Sequence, residues 1–348
     1  MSAGDEARAE RGEAAAGDEA RAERGEAAAG DEARAAALGA RLREGDLGAA
    51  PAALNLLENR SPARRAEIAA LLAEVSPARL GGEAPGHIVG VTGPPGAGKS
   101  TLLSALARVW RQRGRTVGVL AVDPSSKRSG GALLGDRARI DADPADRGLF
   151  IRSTAAGERL GGLAPATRAA TQALAAAFDV VVVETVGVGQ SETEVAEVAD
   201  TVAVVVQPGA GDVLQFLKAG IMEVPDVLVV TKSDLGAVAE RAVRDLRAAL
   251  RSLGDGAPVL AVSSVHPVAG IEELAGALDE HRAGLDLRAS RTRARRLGAL
   301  ADFVAEHGER GLRALGGRRA AERHLADQDE ALDGLALVRA LEARSAAN

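Results

Sequence analysis

The residues GPPGAGKS at 93–100 combine the chemistry needed to hold a polyphosphate. Gly93, Pro94, Pro95, Gly96, Ala97 and Gly98 make a turn of small residues, so that phosphate oxygens can come close to backbone N–H groups. Lys99, Ser100 and Thr101 then open a helical pattern, and the free N–H groups at a helix N-terminus attract anions. In the pattern G-x-x-x-x-G-K-[ST] the lysine reaches the β- and γ-phosphates, and the hydroxyl, here of Ser100, ligates Mg²⁺. Lysine is scarce in this chain. Lys and Arg total 43, yet lysine stands only at 99, 127, 218 and 232.

A phosphate loop works only between a strand and a helix, and the surrounding sequence supplies both. GHIVGVTG (86–93) reads as a short buried strand, and residues 100–113 have helical spacing. Further Val-rich runs of strand length follow at 116–123, 148–153, 179–185, 201–207, 226–232 and 257–264. Helical stretches at 164–177, 236–253 and 270–281 lie between several of them. Continuous apolar strands alternating with helices imply a mainly parallel sheet covered on both faces, an α/β fold of the P-loop class. Residues 38–84 read as an N-terminal helical region, 85–285 as the phosphate-binding domain and 286–348 as a C-terminal helical region. Residues 4–16, GDEARAERGEAAA, recur unchanged at 17–29, and a truncated copy begins at Gly30. That repeat has no apolar stripe, so residues 1–37 are expected to form a disordered or transiently helical tail.

The base that accompanies the phosphates is suggested by TKSD at 231–234, which resembles the N-K-x-D element of GTPases. Asp234 would accept hydrogen bonds from the N1–H and the exocyclic amine of guanine, a pair that adenine does not offer. Lys232 would lie along the base. Thr231 stands where that element carries Asn, which removes one side-chain amide contact. After the last strand, Ser263, Ser264 and Val265 match the S-A-x loop whose backbone meets the guanine O6. DVVVVET (179–185) ends where such proteins carry D-x-x-G, so Glu184 takes the place of the acid and Gly187 offers an amide to the γ-phosphate.

Several motifs in order carry a closer resemblance: VTGPPGAGKST, AVDPSS followed by SGGALLGDR, LGGLA, ETVGVGQSE, QPGAGDVLQ and GIMEVPDVLVVTKSD. The sequence resembles the MeaB/ArgK family, GTPases associated with adenosylcobalamin-dependent methylmalonyl-CoA mutase, densely over 85–275 and loosely over 50–84. The resemblance implies that Asp123, Asp136 and Glu184 approach the metal and the γ-phosphate together with Ser100. It makes 124–139 and 185–198 the switch segments and 208–218 a third segment that signals to the mutase. It further implies Mg²⁺ as cofactor, GTP and GDP as ligands, an adenosylcobalamin-dependent acyl-CoA mutase as partner, and a homodimer formed through the C-terminal helices. Gln190 is the nearest candidate to orient the attacking water. SSVHPVAGI has one residue more than the family's usual stretch, and the N-terminal repeat has no family counterpart.

Composition limits the alternatives. The chain has no cysteine, which excludes disulfides, thiolate catalysis and cysteine-bound metals. Its net charge of −6 argues against an electrostatic nucleic-acid binder. No apolar run reaches the ~18 residues of a membrane span, and a cytoplasmic protein is expected. A metallochaperone GTPase would need a Cys/His cluster, whereas the histidines at 87, 266, 281, 307 and 324 are scattered. A transport-system kinase, the older reading attached to ArgK, would need an acceptor protein for its phosphate.

Overall fold

The computed structural model describes residues 26–347, apart from 60, 124–139, 142, 144, 156–162, 186–194, 210–224 and 254–255. Seven strands form one sheet: β1 His87–Thr92, β2 Val117–Asp123, β3 Leu149–Ala155, β4 Val180–Thr185, β5 Thr201–Val206, β6 Val227–Val230 and β7 Val259–Ala261. Each coincides with one of the Val-rich runs. β-Branched side chains suit a pleated surface, and strands buried on both faces need no polar alternation. Every neighbouring pair is parallel, in the order β3-β2-β4-β1-β5-β6-β7. The strand order therefore reverses around β1, and ligands of open α/β sheets bind at the carboxyl ends of strands at such a point.

The helices are α1 (26–43), α2 Ala50–Leu57, α3 Arg65–Glu74, α4 Pro77–Leu80, α5 Lys99–Gln112, α6 Pro165–Ala175, α7 Ala237–Leu253, α8 Ile271–Ala283, α9 Leu287–Ala314, α10 Arg318–Ala326 and α11 Gly334–Ala346. Alternate strand residues feed two separate cores. Val89, Val91, Val182 and Val205 pack with Leu102, Leu106 and Trp110 of α5 and Leu274 and Leu278 of α8. Ile88, Val181, Val183 and Val204 pack with Leu174 of α6, Leu246 of α7 and residues of α1, α2 and α3. A third, smaller core joins α9, α10 and α11 through Leu300, Phe303, Leu325 and Leu341.

Helix α9 is clamped to the sheet by a buried arginine. Arg291 donates to both carboxylate oxygens of Asp200 at 2.7 and 2.6 Å, and to the carbonyls of Ala84 and Gly86 at 2.6 Å each. The Asp200 carboxylate also accepts from the Ile88 amide at 2.8 Å, so the clamp grips the entry to β1 and β5. Arg168 of α6 adds a second tie, pairing with Asp302 of α9 and, at 3.0 Å, with Glu197.

The tail boundary expected at residue 37 falls inside α1. Ala35, Gly39 and Leu42, spaced i, i+4, i+7, are buried on one face of that helix. A Cβ added to Gly39 would lie 2.4 Å from the Leu71 carbonyl, so α1 and α3 approach closely. The last repeat copy thus runs into a helix that packs through small residues, a face that a search for large apolar side chains does not register. Among the described residues, no helix is long and apolar enough to cross a membrane.

Candidate functional site

The carboxyl ends of the strands bring the sequence motifs into a row, in an order set by the sheet. Moving along the edge, β2 ends on Asp123, β4 on Glu184–Thr185, β1 on the phosphate loop, β5 on Gln207, β6 on Thr231–Asp234 and β7 on Ser263–Val265. With strands spaced about 4.8 Å apart, β1 and β6 lie roughly 10 Å from each other across β5.

The phosphate loop depends on backbone conformations that glycine alone adopts without strain. Gly93 has φ 146°, and a Cβ there would sit 2.1 Å from the Val205 carbonyl oxygen of β5. Gly98 has φ 89° and caps α5 at its N-terminus, so the chain turns sharply and presents the first amides of the helix. Lys99 is buried, and its ammonium donates to the carbonyls of Gly93 at 2.7 Å and Pro94 at 3.2 Å. The loop is thereby wound around its own lysine.

Ser100 and Glu184 meet although they are distant in sequence. The register places Glu184 opposite Val91 of β1 and Ala121 of β2, and the Ser100 hydroxyl donates to its Oε1 at 3.2 Å. Glu184 is buried, with 3% of its surface exposed. A hydroxyl and a carboxylate oxygen converging beside a phosphate loop are hard oxygen donors of the kind that Mg²⁺ takes. Asp123 ends the neighbouring strand one position past Val122, which pairs with Thr185. Asp136, Gly187 and Gln190 lie outside the described residues, as do Lys127 and Lys218.

On the other side of the phosphate loop, Asp234 sits in the 3-10 turn Ser233–Leu235. The Ser263 hydroxyl lies 3.2 Å from Asp234 Oδ1 and 2.9 Å from the Val265 carbonyl, so its single proton serves one of the two at a time. The Ser233 amide donates to the Val262 carbonyl at 3.0 Å, which joins the β6 and β7 loops. Ser264 is partly buried and Val265 is 53% exposed. Lys232 has a left-handed backbone with φ 55°, and among the described residues it is the one non-glycine residue with positive φ. Its ammonium reaches the Gly96 carbonyl at 3.2 Å and the Gln207 side-chain oxygen.

Two features here were not legible beforehand. Thr231 does not simply forfeit a contact: its hydroxyl lies 2.6 Å from the Ala97 carbonyl and 3.1 Å from that of Val206. Gln207 opens the QPGAGDVLQ motif, but its contact with Lys232 becomes visible only when β5 and β6 are paired.

Comparison with known proteins fits this geometry. The family described as "Methylmalonyl Co-A mutase-associated GTPase MeaB" matches residues 50–311. This chain belongs to the MeaB family. The match takes in α2, the whole sheet and most of α9. A Pyrococcus abyssi protein named only provisionally as a GTPase is 44% identical over 255 residues, 71% of this chain and 75% of its own length. The GTPase ArgK of Escherichia coli is 42% identical over 200 residues, 56% of this chain and 58% of its own. A crystal structure described as a LAO/AO transport system kinase superposes with a TM-score of 0.61 at 29% identity, covering 89% of this chain and 97% of that one. As a member of the MeaB family the chain is a GTPase that binds GTP and GDP, and the family is one associated with methylmalonyl-CoA mutase.

Proposed function

We propose that this MeaB-family GTPase acts as a chaperone that gates cofactor loading and protection of an adenosylcobalamin-dependent acyl-CoA mutase, with methylmalonyl-CoA mutase the first candidate. The observation that carries the nucleotide half of this reading is the row of motifs on one sheet edge, acids first, then the phosphate loop, then the guanine loop. In this reading the amides of 93–101 and the Lys99 ammonium hold the β- and γ-phosphates. Asp234 takes the guanine edge, Lys232 lies along the base, and Ser263, Ser264 and Val265 close around O6. Ser100, Asp123, Asp136 and Glu184 would hold Mg²⁺, which, when bound, neutralises charge on the phosphate oxygens. Gly187 would offer its amide to the γ-phosphate and Gln190 would orient the attacking water.

Phosphoryl transfer to water needs positioning and charge neutralisation more than covalent catalysis. In this reading the Lys99 ammonium and the amides at the N-terminus of α5 supply both. Intrinsic turnover is expected to be slow and to rise when the partner engages. The proposal extends to a cytoplasmic homodimer joined through residues 286–348. A metallochaperone reading would call on a cluster of ligating side chains. Among the described residues one such group, Glu306, His307 and Glu342, has ligand atoms within 4.8 Å of each other. There Arg65 already pairs with Glu342 at 2.6 Å and with Glu306 at 3.3 Å, so a cation would have to displace it.

The test is single-turnover GTP hydrolysis with and without a purified acyl-CoA mutase. Stimulation by methylmalonyl-CoA mutase or a related mutase is the expected result. No stimulation by any of them would end the chaperone reading and leave the GTPase intact.

A further inference from the structure

Four residues on one face of α5, Ser100, Ser104, Arg108 and Arg111, stand at helical spacing i, i+4, i+8 and i+11. The first carries the hydroxyl that meets Glu184, and the other three hold the chain where it resumes after 124–139. The Asp141 amide donates to the Ser104 hydroxyl at 3.0 Å, and Arg108 reaches the Asp141 carboxylate at 3.2 Å. Arg111 grips Asp146 through Nε and Nη2, each at 2.8 Å. A Cβ on Gly148 would lie 2.2 Å from the Arg111 guanidinium carbon, so the chain presses on this face up to the start of β3.

Ser104 is the buried member of the row, with 3% of its surface exposed, whereas the Arg108 and Asp141 side chains are 56% and 83% exposed. An ion pair as exposed as that contributes little. A serine inside a helix can bond back to the carbonyl four residues earlier, and Ser104 does so to Ser100 at 3.0 Å. An amide can only donate. The Asp141 N–H therefore takes a lone pair of the hydroxyl, and the hydroxyl proton goes to Ser100. The Ser104 oxygen thus stands between the exit of 124–139 and the backbone of Ser100. The adjoining Ile140 is buried in the core that α5 lines and fixes the same point from its apolar side.

We infer that the Ser104 hydroxyl is a positioning residue, which ties the exit of 124–139 at Asp141 to Ser100 and so holds the Ser100 hydroxyl for Mg²⁺. This rests on the reading of Ser100 and Glu184 as Mg²⁺ ligands. Ser104 stands about one helical turn, roughly 6 Å, behind Ser100 and touches neither nucleotide nor metal in this account. The phosphate loop keeps its own supports, the glycine conformations and the Lys99 bonds to Gly93 and Pro94. Loss of Ser104 is therefore felt in the share of nucleotide affinity that the metal contributes, and not in the share that the loop contributes.

The experiment measures GTP binding to the full chain by equilibrium titration, in excess EDTA and at saturating Mg²⁺. The ratio of the two affinities is the gain from the metal. Ser104→Ala and Ser104→Cys both remove the hydroxyl, so one folded variant suffices, and Ser104→Thr keeps it. Removal should cut the gain by about 2- to 12-fold, the range for one hydrogen bond, and leave the affinity in EDTA as in wild type. Ser104→Thr should keep the gain. So should Asp141→Ala, which removes the exposed pair with Arg108 but not the amide. A gain equal to wild type in the alanine or cysteine variant would overturn the inference, whether or not the melting temperature falls. So would a loss of the same size in EDTA, which would place the effect in the phosphate loop, or a threonine variant no better than alanine. If the wild-type chain itself gains nothing from Mg²⁺, the reading of Ser100 and Glu184 as its ligands falls first, and the inference with it.

Discussion

Replacing Arg291 with Leu should be among the most damaging single changes in this chain. The guanidinium and the Asp200 carboxylate are nearly out of contact with water, at 8% and 1% side-chain exposure, and they meet through two bonds of 2.6–2.7 Å. Leucine removes both bonds and leaves Asp200 with the Ile88 amide, at 2.8 Å, as its remaining short contact. It also takes the donor away from the carbonyls of Ala84 and Gly86. Breaking one side of a buried pair costs about 3–5 kcal/mol, because a charge is left buried without its partner. For a domain of this size that is a fall of about 5–10 °C in melting temperature. The assay is urea unfolding followed by circular dichroism. A second variant carrying Arg291→Leu with Asp200→Asn checks the cause, since removing both charges should recover about half of the loss or more. A loss below about 1 kcal/mol for the single change would refute the clamp. A double variant no more stable than the single would refute the buried-charge explanation.

Two further outcomes follow from the same packing. Removing residues 1–25 should leave the melting temperature unchanged, since that repeat has no apolar stripe, whereas removing 1–44 should lower it by several degrees. The longer cut takes away Ala35 and Leu42, and a fully buried leucine is worth about 1.5–3 kcal/mol; equal melting temperatures for the two would refute the packing of α1. The second concerns pH. Burial pushes the His87 imidazole below its usual pKa, against the opposing pull of Asp279 and Asp200, while Arg282 adds to the lowering. His87 also meets Thr201 at 2.9 Å, which in turn meets His281 at 3.0 Å. The folded state thus resists protonation that the unfolded chain accepts near pH 6.5. Its contribution is complete above that pH and declines as pH falls from 6.5 toward the lower folded value, by at most about 1.4 kcal/mol per pH unit. Thermal unfolding at pH 7, 6 and 5 should show this slope, and His87→Gln should flatten it; an unchanged slope would assign it to other groups.

The fold was largely legible because its signals are local. Seven Val-rich runs gave seven strands, and the phosphate loop announced itself by spacing alone. Glu184 and Asp234 could be placed because strand ends carry them to the same edge of a parallel sheet. What was hidden depends on pairs of residues far apart in the chain. Thr231 and Ala97 are 134 positions apart, so the tie between them could not be read from either motif. Arg291 and Arg168 were invisible for another reason: in a chain so rich in arginine, a buried clamp looks like any other basic residue. Helix α1 was cut short because alanine and glycine pack by fitting closely, which leaves no hydrophobic stripe to detect. Asp136, Gly187 and Gln190 fall outside the described residues, so their roles rest on the sequence alone.

The central claim is a site that selects guanine through Asp234 while the phosphate loop holds any nucleoside triphosphate. Equilibrium binding of GTP, ATP and xanthosine triphosphate to wild type and Asp234→Asn tests it most directly. Wild type should prefer GTP over ATP by about 10⁴-fold, as a site built on such hydrogen bonds can. The variant should lose affinity for GTP and gain it for xanthosine triphosphate, because the side chain now pairs a donor with an acceptor. Equal binding of ATP and GTP by the wild-type chain would contradict the account.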